Sequence, residues 1–134
     1  EERKKNFIIR IVNKILNDEP LELRLPVDQY ATPVNAWDFA RALYLLIKDE
    51  KSGIYNISGS DYFNRVELVE KIISHFPGNK LSFKPVTTAN LEQAALRPLK
   101  GGLKNDKFLK EYPDFVFSTV DDYLESFHKI RNIL

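Results

Sequence analysis

Between Asp28 and Ala40 the sequence Asp-Gln-Tyr-Ala-Thr-Pro-Val-Asn-Ala-Trp-Asp-Phe-Ala leaves an extended segment, turns through Pro33 and enters a helix that Asn35 is placed to cap. No other stretch constrains the fold as much. Proline stops the extended segment, and the apolar residues behind Asn35 demand a helix that buries them. The same bend gathers an acid, an amide and a phenol in Asp28, Gln29 and Tyr30, a set of hydrogen-bonding groups suited to a polar ligand. Acids and amides in such bends more commonly bond their own turn, and that use stays open for Asp28 and Gln29.

Around this bend, helical and extended patterns alternate. Phe7, Ile8, Ile11, Val12, Ile15 and Leu16 share one helical face, and Asn17 to Pro20 stops that helix. Leu21, Leu23 and Leu25 alternate with Glu22 and Arg24, the mark of a half-buried strand ending at Pro26. The helix capped by Asn35 runs to about Asp49, with Val34 and Phe39 placed as a hydrophobic staple. Gly53 to Ser58 reads as a short buried strand. Asn64 and Glu67 form a capping box and Phe63 with Leu68 a second staple, starting a third helix that Pro77-Gly78 ends. Leu81 to Val86 reads as a strand, Ala89 to Leu96 as a short helix, Arg97 to Gly102 as a loop, and Ser118 opens a last amphipathic helix. The class is α/β, with alternating helices and short strands.

At 134 residues, 43% hydrophobic and 29% charged, the chain is sized for a single domain, residues 1–134. Twenty basic against nineteen acidic residues leave a net charge of +1, so neither nucleic acid nor a membrane is expected as a partner. The lack of cysteine removes disulfides, thiolate zinc sites and a cysteine nucleophile, and accords with a reducing cytoplasm. The longest apolar run, Leu43 to Ile47, is too short to span a bilayer and no signal peptide precedes the first helix, so a cytoplasmic location is expected. Methionine is missing even at position 1, which leads us to expect a piece of something longer.

The second helix is apolar around nearly its whole circumference, with Ala36, Trp37, Phe39, Ala40, Ala42, Leu43, Tyr44, Leu46 and Ile47, whereas a surface helix keeps a polar face. It needs cover on more than one side. A parallel-type strand at Gly53 to Ser58 likewise needs neighbours that these few strands hardly supply. Part of the surface that covers both is expected to lie outside the chain; a self-sufficient domain or a homodimer that buries both faces is the alternative.

Four segments carry a family resemblance. Asp28-Gln29-Tyr30-Ala31-Thr32-Pro33 with Asp38-Phe39-Ala40 resembles the Asp-Gln, small residue, Pro, then Asp-Leu-Ala signature of dTDP-4-dehydrorhamnose reductases, members of the extended short-chain dehydrogenase/reductase class. Gly53-Ile54-Tyr55-Asn56-Ile57-Ser58-Gly59 is similar to the strand after that helix. Arg97-Pro98, with Leu103 and Lys107, is similar to the late Arg-Pro segment, and Asn6-Phe7 to the Asn-Phe that opens the helix after the substrate loop. Order and spacing agree over nearly the whole chain, which corresponds to the C-terminal, substrate-binding portion of such an enzyme, with the Rossmann half absent.

The resemblance implies a nicotinamide-dependent reduction of a 4-keto sugar carried on a nucleoside diphosphate, as in rhamnose biosynthesis. NAD(P)H and the Tyr-x-x-x-Lys catalytic pair would belong to an N-terminal Rossmann half upstream of Glu1, so neither a catalytic residue nor a bound cofactor is expected in this chain alone. Its glycines, at positions 53, 59, 78, 101 and 102, form no dinucleotide loop after a strand. Tyr44 and Lys48 have the catalytic spacing but end an apolar helix, where a lysine favours the dipole and a tyrosine packs, and in the family the pair precedes the Asn-Phe helix. By resemblance Arg97 would clamp the diphosphate, Gln29 and Tyr30 would line the sugar-nucleotide pocket, and Asn6 and Phe7 would lie near the nucleotide end. Asp28 would hold the bend and Asp38 the helix start.

Departures keep the substrate open. Ala31 stands for the usual glycine, Val34 for threonine, Gly101 for serine and Lys104 for aspartate. An epimerase or dehydratase, or a non-catalytic relative such as the regulatory beta subunit of methionine adenosyltransferase, fits these changes as well. His75 and His128 have no partner at metal-ligand spacing, Asp121-Asp122 suits a helix start, Glu1 to Lys5 reads as a solvated helix end, and Ser58 and Ser118 have no visible triad.

Overall fold

The computed structural model describes residues 6–131. In chain order they form α1 (Phe7–Leu16), β1 (Leu21–Pro26), β2 (Tyr30–Ala31), α2 (Ala36–Lys48), β3 (Phe63–Asn64), α3 (Arg65–Ser74), β4 (Leu81–Val86), α4 (Asp106–Glu111) and α5 (Val120–Arg131), with one 3-10 turn at Thr88–Asn90. The chain divides into two compact units, Glu1–Gln29 with Asn64–Leu99 and Tyr30–Phe63 with Lys100–Leu134.

Unit 1 is built on the parallel pair of β1 and β4, in the register Leu21 to Leu81, Leu23 to Phe83 and Leu25 to Pro85. The leucine alternation sets the faces: Leu21, Leu23 and Leu25 turn inward while Glu22 and Arg24 stay exposed. Helices α1 and α3 bury Ile11, Val12, Leu68, Val69 and Ile72. Local chemistry fixes both helix starts. Asn6 accepts from the Ile9 N–H at 3.1 Å, and Asn64 with Glu67 completes a full capping box. Beyond α3 the chain reverses at Gly78, whose φ of 78° is one that side chains rarely adopt.

Unit 2 packs Ala42 of α2, Phe108 of α4 and Phe117 into one core, with Leu45, Tyr55, Ile57 and Phe115 against it. Phe108 meets Phe115 edge-on at 5.0 Å and Phe117 at 5.9 Å. Asn35 caps α2 by accepting from the Trp37 N–H at 2.9 Å.

Two expected elements are absent. Residues 53–58 run without strand pairing among the described residues. Two of their carbonyls accept from side chains instead: Lys107 Nζ donates to the Ile54 carbonyl at 3.2 Å and Asn105 Nδ2 to that of Ser58 at 2.9 Å. Residues 89–96 hold only the 3-10 turn rather than a helix. Arg24 donates to the Asn90 carbonyl at 2.7 Å and ties the turn to β1. The run Glu1 to Lys5 and the side chain of His128 lie outside the described residues. No helix of the described residues is long and apolar enough to cross a membrane.

Candidate functional site

In unit 1 the bend that closes β1 is tied to the 3-10 turn. The Thr88 N–H donates to both Asp28 oxygens at 2.9 and 3.1 Å, and its hydroxyl donates to Oδ1 at 2.6 Å. That hydroxyl bond is the main reason the Asp28 carboxyl sits below its ordinary pKa. Gln29 Nε2 donates to Thr88 Oγ1 and to Gln93 Oε1, both at 3.0 Å. The acid and amide of the bend therefore reach a segment some 60 residues away instead of serving only their own turn.

Beside this network opens a concavity of about 490 Å³ whose lining includes Asp28, Thr88, Leu91, Gln93, Leu96 and Arg97. Apolar Leu91 and Leu96 give it a wall that a ring can lie on, and Arg97 gives its rim a positive charge. Arg97 is exposed and has no carboxylate partner among the described residues. Asn6 and Phe7 stand at the start of α1. The Asn6 side chain is engaged in the cap, and the Phe7 ring lies under the guanidinium groups of Arg65, at 4.7 Å, and Arg10, at 5.8 Å.

Arg65 is the residue that sequence reasoning passed over. It opens α3 directly after the Asn64 cap. A cation in the first turn works against the helix dipole, and that misplaced charge was the signal available in the sequence. Burial first, and the charge of Arg97 second, lower its pKa.

In unit 2 Tyr30 is stacked on Tyr62, with ring centroids 5.0 Å apart and planes 21° from parallel. Its carbonyl accepts from the Gly101 N–H at 3.0 Å, so its backbone is fixed while the ring remains half-buried. Gly102 permits this arrangement, because a Cβ there would stand 2.7 Å from the Tyr62 ring. Gly59 is tighter still: a Cβ there would stand 1.9 Å from the Pro33 carbonyl oxygen. Tyr44 lines a second, apolar concavity of about 520 Å³ with Trp37, Ala40, Leu45 and Phe115. Among the described residues no cluster of three or more His, Cys, Asp or Glu could hold a metal.

The family described as the RmlD substrate binding domain matches residues 1–127. No curated protein matches the chain. Among solved structures, a dTDP-4-dehydrorhamnose reductase of Clostridium acetobutylicum is similar at 21% identity and a TM-score of 0.75, over 92% of this chain and 44% of that one. The dTDP-4-dehydrorhamnose reductase of Bacillus anthracis in complex with NADP is similar at 22% identity and a TM-score of 0.76, over 92% of this chain and 43% of that one. The dTDP-glucose 4,6-dehydratase of Bacillus anthracis in complex with NAD follows at 17% identity and a TM-score of 0.69, over 94% of this chain and 40% of that one. These likenesses show a shared fold, the α/β substrate-binding portion of such enzymes, and the chain spans less than half of their length.

Proposed function

This chain belongs to the RmlD substrate-binding domain family, and from that premise we propose that residues 1–134 form the substrate-binding part of an NAD(P)-dependent sugar-nucleotide reductase of the dTDP-4-dehydrorhamnose reductase type. When bound, the nicotinamide cofactor supplies the hydride that reduces a 4-keto sugar. In this reading its site and the proton donor belong to an N-terminal Rossmann half, and the protein works in the cytoplasm.

This chain's residues bind and orient. Arg97, stiffened by Pro98, takes the diphosphate, for which a planar guanidinium is suited by its paired donors. Gln29 spends both amide hydrogens on Thr88 and Gln93, which leaves its carbonyl oxygen for a substrate hydroxyl. Asp28 fixes Thr88 and so shapes the concavity. Phe7 and Asn6 lie toward the nucleotide end. The single observation that carries the reading is Arg97 without an acidic partner on the rim of a partly apolar concavity.

Calorimetric titration of the chain with dTDP and with UDP tests it. Binding that Arg97→Ala weakens about tenfold, equivalent to about 1.4 kcal/mol, is expected. Failure of both nucleotides to bind would remove the reading.

A second reading is favoured by one specific observation, the uncovered apolar face of α2. Trp37 is 71% exposed, Tyr44 65% and Ile47 67%. In a non-catalytic, partner-binding relative this face would be the interface, and nucleotide and Arg97→Ala would then have no effect. In the reductase, and equally in an epimerase or dehydratase relative, the same face and the unpaired residues 53–58 would seat the Rossmann half.

A further inference from the structure

The hydrogen bonds that start at Asp28 can run in only one direction. Its carboxyl sits below its ordinary pKa, first through the Thr88 hydroxyl bond, so at neutral pH it is a carboxylate and only accepts. The Thr88 hydroxyl, 2.6 Å away, therefore donates to it and keeps only lone pairs for other partners. What Thr88 Oγ1 meets at 3.0 Å must be a donor, which sets the nitrogen end of the Gln29 amide toward it. That nitrogen can only donate, so the Gln93 atom 3.0 Å from it is the carbonyl oxygen. Each bond dictates the next, and the last leaves the Gln93 amide nitrogen as the free end of the relay. Its two N–H groups donate to nothing among the described residues. Gln93 lines the concavity with Leu91 and Leu96 and is exposed, whereas Asp28, Thr88 and Gln29 are half-buried. An exposed glutamine without such a relay turns its amide either way.

We propose that Gln93 is a specificity-determining residue that donates to a carbonyl oxygen of a ligand ring lying on Leu91 and Leu96, and that Asp28, acting through Thr88 and Gln29, is the positioning residue that fixes this polarity. The proposal rests on the reading of this concavity as a nucleotide-sugar site and adds which ligand group is read there and by which residue. A uracil-type base carries a ring carbonyl where cytosine carries an amino group. A donor set against a donor leaves both unpaired, so an amide of fixed direction separates two rings of nearly the same size and shape.

Calorimetric titration of the chain with UDP and with CDP tests this, because the two share their ribose and diphosphate and the ratio of affinities isolates the base. UDP is expected to bind about fivefold more tightly, a modest factor because water reaches Gln93. Gln93→Met keeps the length of the side chain and removes both amide ends, and should abolish the preference. Gln93→Glu still accepts from Gln29 but offers no donor; its charge weakens both nucleotides, and the preference should turn toward CDP. Asp28→Asn can present an N–H to Thr88, so the relay can run either way and the preference should shrink. Each readout is a ratio, so partial unfolding of a variant does not mimic it. If the parent chain binds UDP and CDP equally and Arg97→Ala weakens both, the role of Gln93 is wrong and the nucleotide site stands. A preference that survives Gln93→Met belongs to another residue and overturns the proposal in the same way. A preference lost in Gln93→Met but intact in Asp28→Asn removes Asp28 as the positioning residue. If neither nucleotide binds, the proposal and the reading of the concavity fall together.

Discussion

The Ser118 backbone N–H donates to Asp38 Oδ2 at 2.6 Å, joining α2 to the segment that leads into α5. Arg41 grips the other oxygen at 2.7 Å, donates to the Val116 carbonyl at 2.8 Å and lies over the Phe115 ring at 4.5 Å. Asp38 is thus a fully buried acid whose partners all come from its own unit. Burial alone would raise its pKa, but the Ser118 N–H and Arg41 outweigh it and hold the carboxyl below its ordinary value. A depressed carboxyl contributes stability above its unfolded pKa of about 4, and that contribution fades as pH falls through the folded value. Asp38→Asn should therefore cost about 2 kcal/mol at neutral pH and progressively less below about pH 4. Urea denaturation of both proteins at pH 7 and pH 3 checks this; an equal loss at the two pH values would contradict it.

The two close-packed glycines of unit 2 should respond unequally to the same substitution. At Gly59 a Cβ would meet the Pro33 carbonyl oxygen at 1.9 Å, which is backbone and cannot step aside. At Gly102 it would meet the edge of the Tyr62 ring at 2.7 Å, which can. Gly59→Ala is expected to cost about 3 kcal/mol or to prevent folding, and Gly102→Ala about 1 kcal/mol. The second change also disturbs the stacking of Tyr62 on Tyr30, so near-ultraviolet circular dichroism should report it even where the melting temperature barely moves. Equal losses from the two variants would count against the packing described.

What was legible in the sequence is what local chemistry decides. Asn64 and Glu67 meet within one turn, so the start of α3 was visible without any tertiary information. The alternation of Leu21, Leu23 and Leu25 fixed β1 for the same reason. Residues 53–58 misled because an apolar run announces a strand only if neighbours exist to pair with it. Residues 89–96 misled because the contacts that shape them, Arg24 on the Asn90 carbonyl and Asp28 on Thr88, come from residues distant in sequence. The short helix α4 was missed altogether, since its signal is a single buried aromatic, Phe108, in six residues. In the site, Arg97 and Gln29 came from a motif that resembles a family, whereas the reach of Gln29 to Thr88 and Gln93 is tertiary and no local pattern carries it.

The uncovered face of α2 predicts behaviour in solution. Trp37 is 71% exposed, so its removal leaves the fold almost untouched while it removes apolar area from contact with other molecules. Trp37→Lys should change stability by less than about 0.5 kcal/mol. Sedimentation velocity over a range of concentrations should show less self-association for the variant than for the parent chain. If the parent chain is monomeric at every concentration, a homodimer through this face is excluded, and a different partner must cover it.

Residues 53–58 offer the last test. Tyr55 and Ile57 face the core while Ile54 is 85% exposed, the two-faced alternation of a strand. Tyr55 is anchored by its hydroxyl, which donates to Glu111 at 2.9 Å, and Lys51 pairs with the same carboxylate at 2.8 Å. One face of the segment is therefore held in place. Its edges are not: the N–H groups of residues 54–57 donate to no backbone carbonyl among the described residues. An extended segment held on one face and open along its edges can join a sheet with little further loss of chain entropy. In this chain alone those amides should exchange with deuterium at nearly the rate of an unstructured peptide. In a longer polypeptide that supplies the Rossmann half they should slow by on the order of a hundredfold or more, as paired strand amides do. Protection already present in the isolated chain would mean that the segment finds its partner within these residues or in a second copy, and dilution separates those two, because only the second is lost as concentration falls.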